Sequence, residues 1–203
     1  MKQKTTAAEL MARLNADRDY VARKKERDEA VQRKAEEYAR AEAPVVEELR
    51  AAGVQVSSVW DLVNATNTYP QSLPILLKHL QREYPDAVRD GIARALAVPS
   101  AKFAWPLVVK LYRQEHGNRT KQGLAVALSN IADDEVIGEL IDLASESQLG
   151  TSRVLLLDAL RRSRLPIAHK ALMDFGTDPL LQNEAQQILR RLDDGKSASQ
   201  SEP

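Results

Sequence analysis

The sequence predicts an all-α chain of stacked helical hairpins preceded by one long charged helix, and three observations predict it. Aromatics make up only 4% of the 203 residues and glycines number 8, while Leu, Ala and Val supply most of the apolar mass, a composition suited to helices and poor in tight hairpins. No Gly or Pro occurs between Met1 and Pro44. Beyond that point one pattern recurs at a spacing of 32 residues, and a fixed period of this length marks a stacked repeat.

Taken in order, residues 6–43 read as a single long helix. Leu10, Leu14, Asp17, Val21, Lys24, Asp28, Val31, Ala35 and Tyr38 alternate at spacings of four and three. That is a heptad seam interrupted by charges, flanked by i,i+4 pairs such as Glu29–Arg33 and Glu36–Arg40, each worth a few tenths of a kcal/mol. A new short helix is expected at Pro44, with proline in its first turn and Gly53 as its stop. Ser58, followed three residues later by Asp61, reads as the capping box of a helix containing Trp60. From there to Leu192 short helices alternate with polar turns, and the Ser/Gly-rich stretch after it is expected to be disordered. The boundaries that result are a helix over 1–43, a repeat domain over 44–192 and a tail over 193–203.

The repeat is clearest in "YPDAVRDGIARALA" (84–97). Moved by 32 residues, Arg89 falls on Lys121 and Arg153, Ile92 on Leu124 and Leu156, and Ala95–Leu96 on Ala127–Leu128 and Ala159–Leu160. Asp86 falls on Asn118 and Gly150, the turn before each helix. "LPILLK" (73–78) matches "WPLVVK" (105–110) and, at a shorter spacing, "LPIAHK" (165–170), with Gly138 replacing the proline in the third unit. The segment is therefore the second helix of a hairpin, started by Pro85 at the first helical position, where no hydrogen bond is lost. One hairpin cannot bury its apolar face alone, so the units must stack.

These features resemble the HEAT-repeat family: the proline of the first helix, the Asp/Asn turn, the Val-Arg that opens the second helix and its Ala-Leu end. Ala132–Asp133 resembles the family's link between units. The resemblance covers about residues 70–192 and implies a right-handed α-solenoid of about four or five units. It also implies a scaffold that binds proteins, and less often nucleic acids, along a concave surface.

In such a solenoid the second helices line the inner face, and residues in register form rows: Asp90, Gln122, Val154; Arg94, Val126, Asp158; Ala97, Ser129, Arg161. No row carries one sign of charge, whereas a phosphate-tracking groove repeats Lys and Arg. Mixed rows suit a protein partner read by charge complementarity, so Asp90, Arg94, Gln122, Val126, Ser129, Asp158 and Arg161 are the expected protein-binding residues. The repeated Arg89, Lys121 and Arg153 are expected to face the neighbouring unit as structural cations. Arg190 and Arg191, near Arg161, Arg162 and Arg164, are expected to complement a helix C-terminus. Both Trp60 and Trp105 read as core.

Nothing in the sequence demands catalysis. His79, His116 and His169 lie in different units without metal-ligand spacing. Asp133, Asp134 and Glu135 read as helix-capping acids. There is no cysteine, no phosphate loop and no nucleophile elbow. Formal net charge is zero, from 29 basic and 29 acidic residues, which argues against nucleic acid and anionic membrane. No apolar run approaches the roughly 20 residues of a membrane helix, and the first residues lack a secretory core, so a cytoplasmic chain is expected. The expectation is a non-enzymatic scaffold or adaptor with no cofactor and no metal, one form of it an immunity-type neutralising partner. The enzymatic alternative comes from the resemblance, because some DNA glycosylases for alkylated bases are HEAT-like and use Trp, Asp and Arg in a basic groove. A phycobilin-lyase reading would need a tetrapyrrole pocket richer in aromatics.

Overall fold

The computed structural model describes residues 6–199, over which the chain is all-helical, with 11 α-helices and no strand. Among these residues no single helix is long and apolar enough to cross a membrane. The chain divides into two compact units between Ala41 and Glu42.

The first unit holds α1 (Ala7–Ala16) and most of α2 (Arg18–Ala51). The single helix expected over 6–43 is interrupted at Asp17, whose carboxylate accepts the backbone N–H of Asp19 at 2.9 Å and of Tyr20 at 3.1 Å. A short acidic side chain that competes for backbone N–H groups ends one helix and caps the next. This explains one of the three charges in the seam. The seam itself is open to solvent, with Val31 64% exposed; the side chain of Leu10 lies outside the described residues. Glu29 pairs with Arg33 at 4.0 Å, but Glu36 accepts from Gln32 Nε2 instead of Arg40.

The second unit begins inside α2. No new helix starts at Pro44, because α2 runs through it to Ala51. A proline in a helix interior costs about 3 kcal/mol, since the carbonyl four residues earlier loses its donor. Here that residue, Arg40, is exposed to water, and the buried Val45, Val46 and Leu49 follow immediately. Each such burial contributes about 1.5–3 kcal/mol, which outweighs the break. Gly53 does end the helix, at φ 85°, with its N–H on the Arg50 carbonyl and that of Val54 on the Leu49 carbonyl, a Schellman closure. Ser58 and Asp61 form the expected capping box on α3 (Val59–Val63).

Four hairpins follow: α4 (Leu73–Leu80) with α5 (Asp86–Ala95), α6 (Trp105–Gln114) with α7 (Asn118–Ile131), α8 (Ile137–Ser145) with α9 (Leu157–Arg162), and α10 (Pro166–Phe175) with α11 (Gln182–Ser199). Pro85 stands one residue ahead of α5 rather than in it. The second helix of the third hairpin is mostly a 3-10 stretch, Ser147–Leu156, with Gly150 at φ 72°. Helix α11 continues through Ser199, so residues 193–199 are helical where disorder was expected; residues 200–203 lie outside the described residues.

Within the unit, α3 packs on α5, α5 on α7, α7 on Ser147–Leu156 and α9 on α11. The apolar rows of the repeat are what these contacts bury. Ile92, Leu124 and Leu156, and Leu96, Leu128 and Leu160, are all inaccessible or nearly so. The α3–α5 and α5–α7 crossings are close enough to need glycine. A Cβ on Gly91 would stand 2.8 Å from Val59 Cγ2, and one on Gly123 would stand 2.6 Å from Asp90 Oδ1.

Candidate functional site

The expected binding rows separate in space. Arg94 on α5 and Val126 on α7, with Ala97, line one cleft of about 640 Å³. Its other wall is the end of α3 and the turn after it, residues 62–69, with Leu62 at its base. Tyr69 steadies that turn by donating its hydroxyl to the Ala95 carbonyl at 3.1 Å. Asp158 and Arg161 lie elsewhere, on α9, and pair with each other at 2.8 Å. Gln122 is half-buried and leans on Asn118 Oδ1 at 3.5 Å.

Two of the expected residues do not reach the surface. Ser129 is 2% exposed, with its hydroxyl unpartnered among the described residues and its carbonyl accepting from Arg162. Asp90 is 8% exposed, pressed beneath Gly123, with Oδ1 accepting from Arg94 Nε at 2.7 Å. Burial pushes the Asp90 carboxyl above its ordinary range, against the opposing pull of Arg94. A helical row three and four residues wide turns partly under its neighbours, and that rotation carries Asp90 and Ser129 into the helix contacts.

Two of the three repeated cations reach the next hairpin as expected, Arg89 and Arg153, whereas Lys121 bonds within its own. Arg89 reaches Glu115 at 2.5 Å. Arg153, almost wholly buried, donates to the carbonyls of Ala144 and Gly150 and to Asp178 at 3.1 Å. Lys121 donates to the Glu115 carbonyl at 3.2 Å and lies over the Tyr112 ring. Arg161 and Arg162 are held by Asp158. Arg190 and Arg191 are exposed, but α11 continues past them, so they do not sit at the helix end where a dipole would favour them.

Trp105 is 5% exposed and gives its Nε1–H to Glu139 at 2.6 Å. Trp60 is 38% exposed and lies across Gly91, so it is a partial cover rather than core. His79 is buried between Tyr84 OH at 2.6 Å and Glu48 at 2.9 Å. Bonds from Lys78 and His79 lower the Glu48 pKa to about 2. Asp133 accepts from the Glu135 N–H and from Lys102, and those bonds hold its carboxyl below the usual range. Among the described residues no three His, Asp or Glu side chains gather in a group able to hold a metal.

Three features escaped the sequence reading. Glu42 accepts from Ser58 Oγ at 3.0 Å and the Val59 N–H at 3.1 Å, tying α2 to α3. Asp86 caps α7 from a different hairpin. The turn over 62–69 forms a cleft wall. The two glycines at the helix crossings did leave a mark in the sequence, since Gly91 and Gly123 stand one repeat apart. Comparison of the chain with protein-family models, with curated proteins and with solved structures finds no match.

Proposed function

We propose that this chain is a non-enzymatic protein–protein interaction scaffold, a right-handed HEAT-like α-solenoid that works in the cytoplasm and holds another protein on its second helices. The observation that carries this reading is the sequence separation of its side-chain bridges. Asp86 meets Thr120, Trp105 meets Glu139, Arg113 meets Glu146 and Arg162 meets Ser129, at separations of 34, 34, 33 and 33 residues. Bonds that recur at one repeat length are what nearest-neighbour stacking of equivalent hairpins produces. A polar, mixed-charge surface bearing an apolar cleft suits a protein partner. The nucleic-acid alternative gains little support, because Arg89, Arg94, Arg113, Arg153, Arg161 and Arg162 all face carboxylates and, among the described residues, the binding rows of the second helices repeat no cation.

The test is capture by the immobilised full chain from a lysate of its own cells at about 0.15 M salt, an ionic strength that screens loose surface charge, with and without nuclease. A stoichiometric protein that survives nuclease and is lost on the double change Arg94→Glu, Arg161→Glu supports the reading. Recovery of nucleic-acid-dependent species alone overturns it.

A further inference from the structure

We propose that the cleft between α3, α5 and α7 seats an extended peptide bearing an apolar side chain beside a carboxylate, the carboxylate forked on Arg94 and the apolar group resting on Leu62, Val98 and Val126. This rests on the protein-binding reading and adds where the partner is gripped and by what chemistry.

Arg94 is the one charged side chain among the residues lining the cleft. Its Nε–H is taken by Asp90, and among the described residues its two terminal nitrogens meet no acceptor. A guanidinium fixed at Nε still offers its terminal pair as a planar fork, a geometry that a carboxylate fills with two parallel bonds. The Asp90 bond sets the fork's direction before any ligand arrives, which lowers the ordering cost of binding.

Around this single charged anchor Leu62, Val63, Ala97, Val98 and Val126 make an apolar floor, with Tyr69 and Ser100 as polar neighbours. An apolar pocket of about 300–1,000 Å³ with few polar groups is the usual form of a ligand seat, and the cleft volume falls in that range. The rim supplies a third element. Thr66, Asn67 and Thr68 are exposed and border the cleft, and among the described residues none of their backbone or side-chain groups bonds within the chain. An irregular edge with free N–H and C=O groups pairs with an extended main chain, as sheet edges do. A nucleic-acid backbone would instead need several cations in line, and here one guanidinium sits beside a carboxylate.

The test is an amide-resolved NMR titration of the full chain with the probe Ac-Ala-Leu-Val-Asp-NH2. The controls are its Asn analogue, a Ser-Ser analogue of the Leu-Val pair, and a short single-stranded oligonucleotide. The expected result is shifts confined to residues 62–69, 94–100 and 126, with affinity about tenfold weaker for either peptide analogue, a change of about 1.4 kcal/mol. Arg94→Met should erase the preference for Asp over Asn. Val126→Glu leaves the Asp90–Arg94 pair in place and puts a carboxylate on the floor, so it should reject the acidic probe; amide dispersion confirms that each variant is folded. Equal binding of all three peptides, shifts elsewhere, no shifts at about 1 mM probe, or tighter binding of the oligonucleotide would each overturn the proposal. If the protein captured from lysate is held equally by the Arg94→Met chain, the cleft assignment falls while the scaffold reading stands. Failure of capture altogether removes both.

Discussion

Asp86 on α5 closes the start of α7 through Thr120. Its Oδ1 accepts the Thr120 N–H at 2.9 Å and the Thr120 hydroxyl at 2.6 Å, and Oδ2 accepts the Arg119 N–H at 3.1 Å. Helix α7 begins at Asn118 after Gly117 and has no side-chain cap from the residue preceding it. Gly117 leaves the space, since a Cβ there would stand 2.5 Å from Asp86 Oδ1. Asp86→Ala is expected to destabilise the chain by about 1–2 kcal/mol, the worth of a lost cap. A urea midpoint unchanged from the parent would refute this role.

The same carboxylate and Glu48 contribute to the acid side of stability. Burial raises the Asp86 pKa, but the bonds from Thr120 and Arg119 outweigh that and leave it lowered. Glu48 is brought from 4.5 to about 2 by Lys78 and His79. A group with a depressed folded pKa stabilises fully above its unfolded value and loses that contribution as pH falls through the folded one. Denaturant midpoints should therefore decline between about pH 5 and pH 2, and the decline should be shallower in Glu48→Gln. Identical slopes for the two chains would show that the Glu48 bonds carry no linkage.

Glycine-to-alanine changes should give opposite signs at two helical positions. At Gly138 nothing lies within 4 Å of an added Cβ, so Gly138→Ala gains up to about 1 kcal/mol of helix propensity. At Gly123 the Cβ meets Asp90 Oδ1 at 2.6 Å and the Asp90 carbonyl at 2.9 Å. The backbone atom cannot swing away, and Gly123→Ala should cost about 1–3 kcal/mol as α5 and α7 are forced apart. Thermal melts of the two variants check this; a rise for both would mean that the crossing is looser than described.

Of the repeated cations, Arg153 should be more sensitive to removal than Lys121. It is nearly buried, and its removal leaves the Ala144 carbonyl and Asp178 Oδ2 without the guanidinium donor, a loss of about 3 kcal/mol. Lys121 makes one backbone bond and a ring contact, so Lys121→Met should cost about 1 kcal/mol. Chemical denaturation of both variants decides the order.

Cutting the chain before Glu42 and before Pro44 should also differ. The shorter fragment loses the carboxylate that holds Ser58 and the Val59 N–H. It is expected to be about 1–2 kcal/mol less stable than the fragment starting at Glu42. Equal stability would show the tie to be dispensable.

How far the sequence carried depended on the range of the interactions involved. The Ala-Leu and Ile/Leu rows were legible because burial repeats with the helix period, and the Gly53 stop and the Ser58–Asp61 box because a cap is made by neighbours in sequence. Pro44 misled because its local preference for a first turn was overridden by the burial of Val45, Val46 and Leu49 just after it. Asp17 misled the other way, since its cap outweighed the heptad pattern. The Arg94–Val126 cleft was half visible: the register brought those two together, but the wall from 62 to 69 carries no repeat signature. Helical phase decided Asp90 and Ser129, and a register alone does not give the phase.

The trans cap on α7 has a temporal side. Several of the bridges between successive hairpins tie a residue to one 33 or 34 positions away, a span that keeps the closing loops short and their entropic cost small. The cap of α7 is supplied by residue 86, already present when residue 120 is added. A hairpin emerging during synthesis thus meets its template in the preceding one, and folding can advance from the amino end as the chain grows.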